Sequence, residues 1–164
     1  MALQARVGWR AYTSSSTLLL DTYTGSTVAF SMFKLRTAYS GNCIRVRRSS
    51  DNAEQDIGFV NNYLNTASLL SFVGGGNGFV VKWYDQSTNS RDLSQSTAVN
   101  QPQIVTSGSL ITRNGKAVIR ATSSQWLSLA SIINGTAARS WWFSYEKNTS
   151  GNQQILGLSG INYM

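Results

Sequence analysis

The chain has 164 residues, a formal net charge of +7 and 13% charged residues, against about 25% in an average soluble domain. It contains no histidine and one cysteine, Cys43. That excludes His-based triads, imidazole acid–base steps, His- or Cys-cluster metal sites and an internal disulfide framework. The apolar content of 41% is enough for one domain's core, and neither a cofactor nor a metal is expected.

Residues 1–26 are polar, Ser/Thr-rich and weakly periodic. They read as an arm or attachment segment, with 27–164 as the domain. The apolar run Leu18-Leu19-Leu20 is three residues long. A signal-peptide core takes about 7–15 apolar residues and a membrane span about 20. The expectation is therefore a product made in the cytoplasm, with no membrane partner. Cys43 reads as a small buried hydrophobe, because its usual activating base is missing.

Ile44-Arg45-Val46-Arg47 alternates apolar and charged residues, the period of a half-buried strand. Arg45, Arg47 and Arg48 form the one basic cluster. It reads as a solvated strand face, with nucleic acid or an acidic partner as the functional alternatives. No RNA- or DNA-binding pattern accompanies it, so no specific nucleic-acid partner is expected. Asp51, Glu54 and Asp56 follow and suit ion pairing with these arginines.

Asn65 or Thr66 caps one predicted short helix, which Gly74 ends in a left-handed conformation. Gly74–Gly78 lacks the Gly-Lys-Ser/Thr ending of a phosphate loop and reads as a turn. Phe79–Tyr84 is the clearest strand, with Phe79, Val81 and Trp83 on one face. Asp85–Asn89 closes it as a polar turn in which Asp85 and Ser87 bond backbone and Gln86 braces a neighbouring loop. Asn114-Gly115 is a two-residue hairpin turn. Trp126–Leu129, Ser140–Glu146 and Gln153–Leu158 continue the strands.

Recurrent Gly-containing turns point to an all-β sandwich or jelly roll. The end at Gly160–Met164 reads as a strand cut short, of a short product or a fragment of a longer one. An open edge there invites another chain, and closed symmetry would remove it. Trp142 lies opposite Trp141, Phe143 and Tyr145 on its strand. With Trp9 and Tyr12 it is a candidate assembly contact.

The stretches 38–52 (AYSGNCIRVRRSSDN), 79–87 (FVVKWYDQS) and 114–116 (NGK), in that order, resemble the N-terminal part of the catalytic domain of fungal α-L-arabinofuranosidase B. They are still more similar to bacteriophage virion proteins that carry this domain. The resemblance covers about residues 30–160. It implies a concanavalin-like jelly-roll β-sandwich with one short helix and an N-terminal arm. Trp83, Tyr84, Asp85 and Gln86 are then candidate glycan-binding residues, since aromatic faces stack on sugar C–H groups while carboxylates and amides bond hydroxyls.

Glycoside hydrolysis needs two carboxyl groups flanking the bond. In the arabinofuranosidases the catalytic pair lies later in the domain, and their paired cysteines have no counterpart here. No catalytic residue is assigned, and a non-enzyme is expected. The resulting expectation is a structural component of a tailed-phage virion, a head-decoration, tail or fibre-type protein. It would be a homo-oligomer contacting other virion proteins and, weakly, a cell-surface glycan. The alternative is a carbohydrate-active module, lectin or arabinofuranosidase-type hydrolase.

Overall fold

A computed structural model of the chain describes residues 17–122 and 124–129. In chain order its elements are α1 (Leu19–Thr22), β1 (Ile44–Arg48), β2 (Glu54–Ile57), β3 (Phe59–Val60), β4 (Tyr63–Leu64), α2 (Thr66–Val73), β5 (Gly78–Trp83), β6 (Leu93–Ser94), a 3₁₀ turn (Ala98–Asn100), β7 (Gln103–Thr106), β8 (Ser109–Leu110), β9 (Thr112–Arg113) and β10 (Lys116–Ala117). A six-stranded sheet runs β2-β1-β5-β7-β8, with β6 also on β5; β3–β4 and β9–β10 form two ribbons. Every pairing is antiparallel. This strand-rich, helix-poor architecture is the expected all-β class.

The apolar residues of β1 point one way. Ile44 and Val46 are fully buried, while Arg45 and Arg47 lie on the other face. The core gathers Cys43, Ile44, Val46, Ile57, Leu69, Val73, Val80, Ile104 and Val105 between the sheet and α2. The Cys43 thiol is pushed up to about 12 by burial and is packing, as expected. The Asn65 side chain accepts from Ser68 N–H at 3.0 Å to cap α2. Gly74 ends the helix at φ 64°, ψ −142°. Its φ is positive as expected, but its ψ is not that of the left-handed helix; glycine alone reaches this region readily. Asn114 and Gly115, at φ 49° and 72°, form the expected turn and pair Arg113 with Lys116.

Strand β5 departs from simple alternation. Arg45 pairs with Lys82 but Val46 pairs with Val80, so Val81 is an extra residue in a β-bulge. The bulge reverses the side-chain parity. Phe79 stays outside, under the Arg47 guanidinium at 4.7 Å. Trp83 turns to the core side, against Phe30 with ring centroids 5.8 Å apart. Phe79 and Trp83 therefore do not share a face. A second bulge at Ile104 lets Ile104 and Val105 both be buried.

Of the segment expected as an arm, residues 1–26, the described part begins at residue 17. Leu18 is buried, Leu20 N–H donates to Leu35 O at 2.8 Å, and the Asp21 carboxylate accepts from Thr37 N–H and hydroxyl. Leu20 and Asp21 thus tie this segment to residues 35–37. Trp9, Tyr12, Trp142 and the strands expected at 140–146 and 153–158 lie outside the described residues. Among the described residues, no helix is long and apolar enough to cross a membrane.

Candidate functional site

The outward face of the sheet carries a charged row built by strand register. Asp56 on β2 faces Arg45 on β1, Arg45 faces Lys82 on β5, and Lys82 faces Ser94 on β6. Direct cross-strand partners point the same way, so four strands present these side chains side by side.

The charges are matched in place. Arg45 donates from Nε and Nη2 to the two oxygens of Asp56, each at 2.7 Å. Such a fork-to-carboxylate contact is among the stronger hydrogen-bonded ion pairs. Tyr84 hydroxyl donates to Asp56 Oδ1 at 2.7 Å. Arg45, then Tyr84, hold the Asp56 carboxyl below the usual range despite its partial burial. The Tyr84 phenol is pushed up, first by burial and then by Asp56. Lys82 Nζ lies 3.3 Å from Asp92 Oδ2 and 5.3 Å from the Tyr84 ring centre. Asp92 Oδ1 accepts from Asp85 N–H at 3.0 Å. Two cations and two anions cancel, leaving a neutral surface of fixed donors, acceptors and one aromatic ring. Asp56 is kept ionised, so it can orient hydroxyl groups but is a poor proton donor.

The turn after β5 is built from the inside. Asp85, Gln86 and Ser87 are buried. Asp85 Oδ1 accepts from Ala29 N–H and Ser87 N–H, each at 2.8 Å. Its Oδ2 accepts from Ser87 hydroxyl at 2.7 Å and Arg91 N–H at 2.9 Å. Gln86 accepts from Leu35 N–H at 2.7 Å and donates to Ser31 O and Phe33 O at 2.8 and 3.1 Å. These two side chains clamp the 29–35 segment to the sheet, and their bonds are spent inside the protein. The structure thus corrects the expected direct glycan contact for Asp85 and Gln86: neither offers an exposed surface. Trp83 is half-buried, and its indole N–H is enclosed without an acceptor. Tyr84, by contrast, stands on the charged row.

The basic cluster is also engaged internally. Arg48 pairs with Asp51 at 2.6 Å and lies 5.0 Å over the Phe72 ring. Arg47 donates to Gln101 Oε1 and Asn52 Oδ1, each at 2.7 Å. Arg45 and Arg48 thus make ion pairs with Asp56 and Asp51, while Arg47 is held by neutral amide oxygens. A small surface pocket lined by Tyr23, Ser26, Arg36 and Ser87, among others, contains no carboxyl group. Among the described residues, no cluster of three or more potential ligands could hold a metal.

Asp56, Lys82 and Asp92 were not singled out from sequence as site residues. They are 26 and 10 positions apart in the chain. Only the register of three strands and the turn brings them together.

A family model described as the catalytic domain of α-L-arabinofuranosidase B matches residues 20–158. No curated protein sequence matches the chain. A solved arabinofuranosidase in complex with arabinofuranosyl-α-1,2-xylobiose is similar at 24% identity, over 42% of this chain and 15% of that one, with a TM-score of 0.39. The chain thus spans a small part of that protein's length. The family match overturns the expectation of a non-enzyme, since the matched family is a glycoside hydrolase's catalytic domain. It brings no support for a virion context.

Proposed function

The chain belongs to the α-L-arabinofuranosidase B catalytic-domain family, and on that premise we propose that it binds terminal α-L-arabinofuranosyl groups and takes part in their hydrolysis. The observation that carries this reading is the family match over residues 20–158. The outward row is in keeping with it. A surface of matched charges beside an aromatic ring suits a neutral, hydroxyl-rich ligand better than a polyanion.

Hydrolysis of a glycosidic bond uses one carboxyl group that donates a proton and a second that stays ionised. Asp56, held ionised by Arg45 and Tyr84, serves in this reading to orient sugar hydroxyls rather than to donate the proton. Lys82 supplies a donor beside it and Tyr84 an aromatic face. Asp85 and Gln86 hold the turn that carries Tyr84.

The test is turnover of 4-nitrophenyl α-L-arabinofuranoside by the purified protein, alongside the corresponding α-L-rhamnopyranoside. Release of nitrophenol from the furanoside alone is expected. Lys82→Ala and Tyr84→Phe are expected to raise KM. No turnover by a folded wild-type protein overturns the proposal.

A further inference from the structure

We infer that Trp126 is the stacking platform of a second sugar subsite, at the far end of the outward row, for a neutral glycan extending beyond the terminal unit. This inference rests on the arabinofuranosyl reading above and deepens it.

The placement follows from backbone register. Ser94 and Ser128 exchange both backbone hydrogen bonds, at 2.8 and 2.9 Å, so their side chains point to the same face. Ser94 in turn faces Lys82. Trp126 is two residues before Ser128 and shares its side in an extended segment. Leu127, between them, packs toward the core, as that alternation requires. The outward surface therefore runs Asp56, Arg45, Lys82, Ser94, Ser128 and ends at the indole of Trp126.

A single exposed apolar side chain is ordinary. Trp126 is distinguished by its setting. The residue is 50% exposed, yet its backbone is tied at both ends. Its N–H donates to Asn100 O at 3.0 Å, and its carbonyl accepts from the buried Gln95 at 3.5 Å. An aromatic face held on a fixed backbone loses little freedom on binding. Exposed Ser94 and Ser128 stand beside it; the Ser128 hydroxyl donates to Ser94 O at 3.1 Å and keeps its acceptor side for a sugar hydroxyl, while Ser94 offers both. An indole face over sugar C–H groups with flanking hydroxyls is the chemistry of neutral-glycan recognition. The charge balance of the row gives an acidic ligand no preference.

The experiment compares three ligands on wild type, Trp126→Ala and Trp126→Tyr. Calorimetry measures binding of methyl α-L-arabinofuranoside and of linear α-L-arabinotriose, and turnover of the aryl arabinofuranoside is followed separately. In wild type the triose is expected to bind more tightly than the monosaccharide. Trp126→Ala is expected to weaken triose binding about tenfold while monosaccharide binding and aryl turnover stay unchanged. Trp126→Tyr keeps most of the triose affinity.

Equal triose affinity in Trp126→Ala overturns the inference, as does equal loss of both ligands. A change of solution mass in Trp126→Ala, marking Trp126 as a contact between copies, also overturns it. Selective loss of triose binding without aryl turnover in any variant would leave the subsite standing and remove the hydrolytic reading. No binding of either sugar to wild type overturns both.

Discussion

Removing one acceptor from the turn after β5 tests how much of the fold depends on the buried Asp85. Its two oxygens each accept two hydrogen bonds: Ala29 N–H and Ser87 N–H on Oδ1, Ser87 hydroxyl and Arg91 N–H on Oδ2. In Asp85→Asn the amide nitrogen has two placements. Replacing Oδ1, it faces two backbone N–H groups. Replacing Oδ2, it faces one N–H and a hydroxyl that can turn toward Thr27 O, now 3.5 Å away, and accept instead. The second placement is the cheaper one, and it removes only the acceptor of Arg91 N–H. The Arg91 N–H is only half-buried, so losing its acceptor costs about 1 kcal/mol, the low end of the range for a buried donor, and loss of charge assistance adds to this; Asp85→Asn should cost about 1–2 kcal/mol. Asp85→Ala removes all four acceptor contacts and should cost about 4 kcal/mol. Urea unfolding of the three proteins measures both differences. Hydrogen exchange should locate the opening at Ala29 and Ser87 in the alanine variant. An Asp85→Asn protein within about 0.5 kcal/mol of wild type, the range of an ordinary surface change, would refute the reasoning.

Gly78 has no room for a side chain. A Cβ there would lie 2.9 Å from Val73 Cγ2, 3.2 Å from Val105 Cβ and 3.3 Å from Val46 Cγ1. Gly78→Ala should therefore cost about 1–3 kcal/mol by overpacking, read from the urea midpoint, with part of the loss recovered in a Val73→Ala background. Asp56 is held low by Arg45 and Tyr84, so its stabilisation is present above the ordinary aspartate range and is lost as pH falls through its lower folded value. The stability advantage of wild type over Asp56→Asn should be constant near neutrality and shrink below about pH 4; an advantage that grows on acidification contradicts the pairing. Cys43, fully buried with its thiol pushed up to about 12, should stay unreactive to an aromatic disulfide reagent at pH 8 and titrate as one thiol after unfolding.

Local chemistry was legible in the sequence alone. Asn65 caps α2, Gly74 ends it, Asn114-Gly115 turns the hairpin, and Ile44–Arg48 alternates as β1 does. Each depends on residues within a few positions of one another, and backbone sterics and side-chain-to-backbone bonds act at that range. The bracing role of Gln86 was legible for the same reason, although its partners at Ser31, Phe33 and Leu35 were not. The family too could be read from three short stretches, and the match over residues 20–158 bears that part out.

Tertiary structure alone decided what depends on register. The bulge at Val81 is one extra residue in a ladder, and nothing in Phe79–Trp83 marks it. Yet it sends Trp83 to the core and keeps Phe79 outside. The same register sets Asp56 beside Arg45, Arg45 beside Lys82 and, through Ser94 and Ser128, places Trp126 at the end of the row. It likewise commits Asp85 and Gln86 to the interior, because the buried turn needs acceptors and donors for the 29–35 backbone. Side chains alternate with period two, so a shift of one residue moves a group from one face to the other. Strand pairing across tens of residues therefore determines which charges meet and which aromatic rings face water.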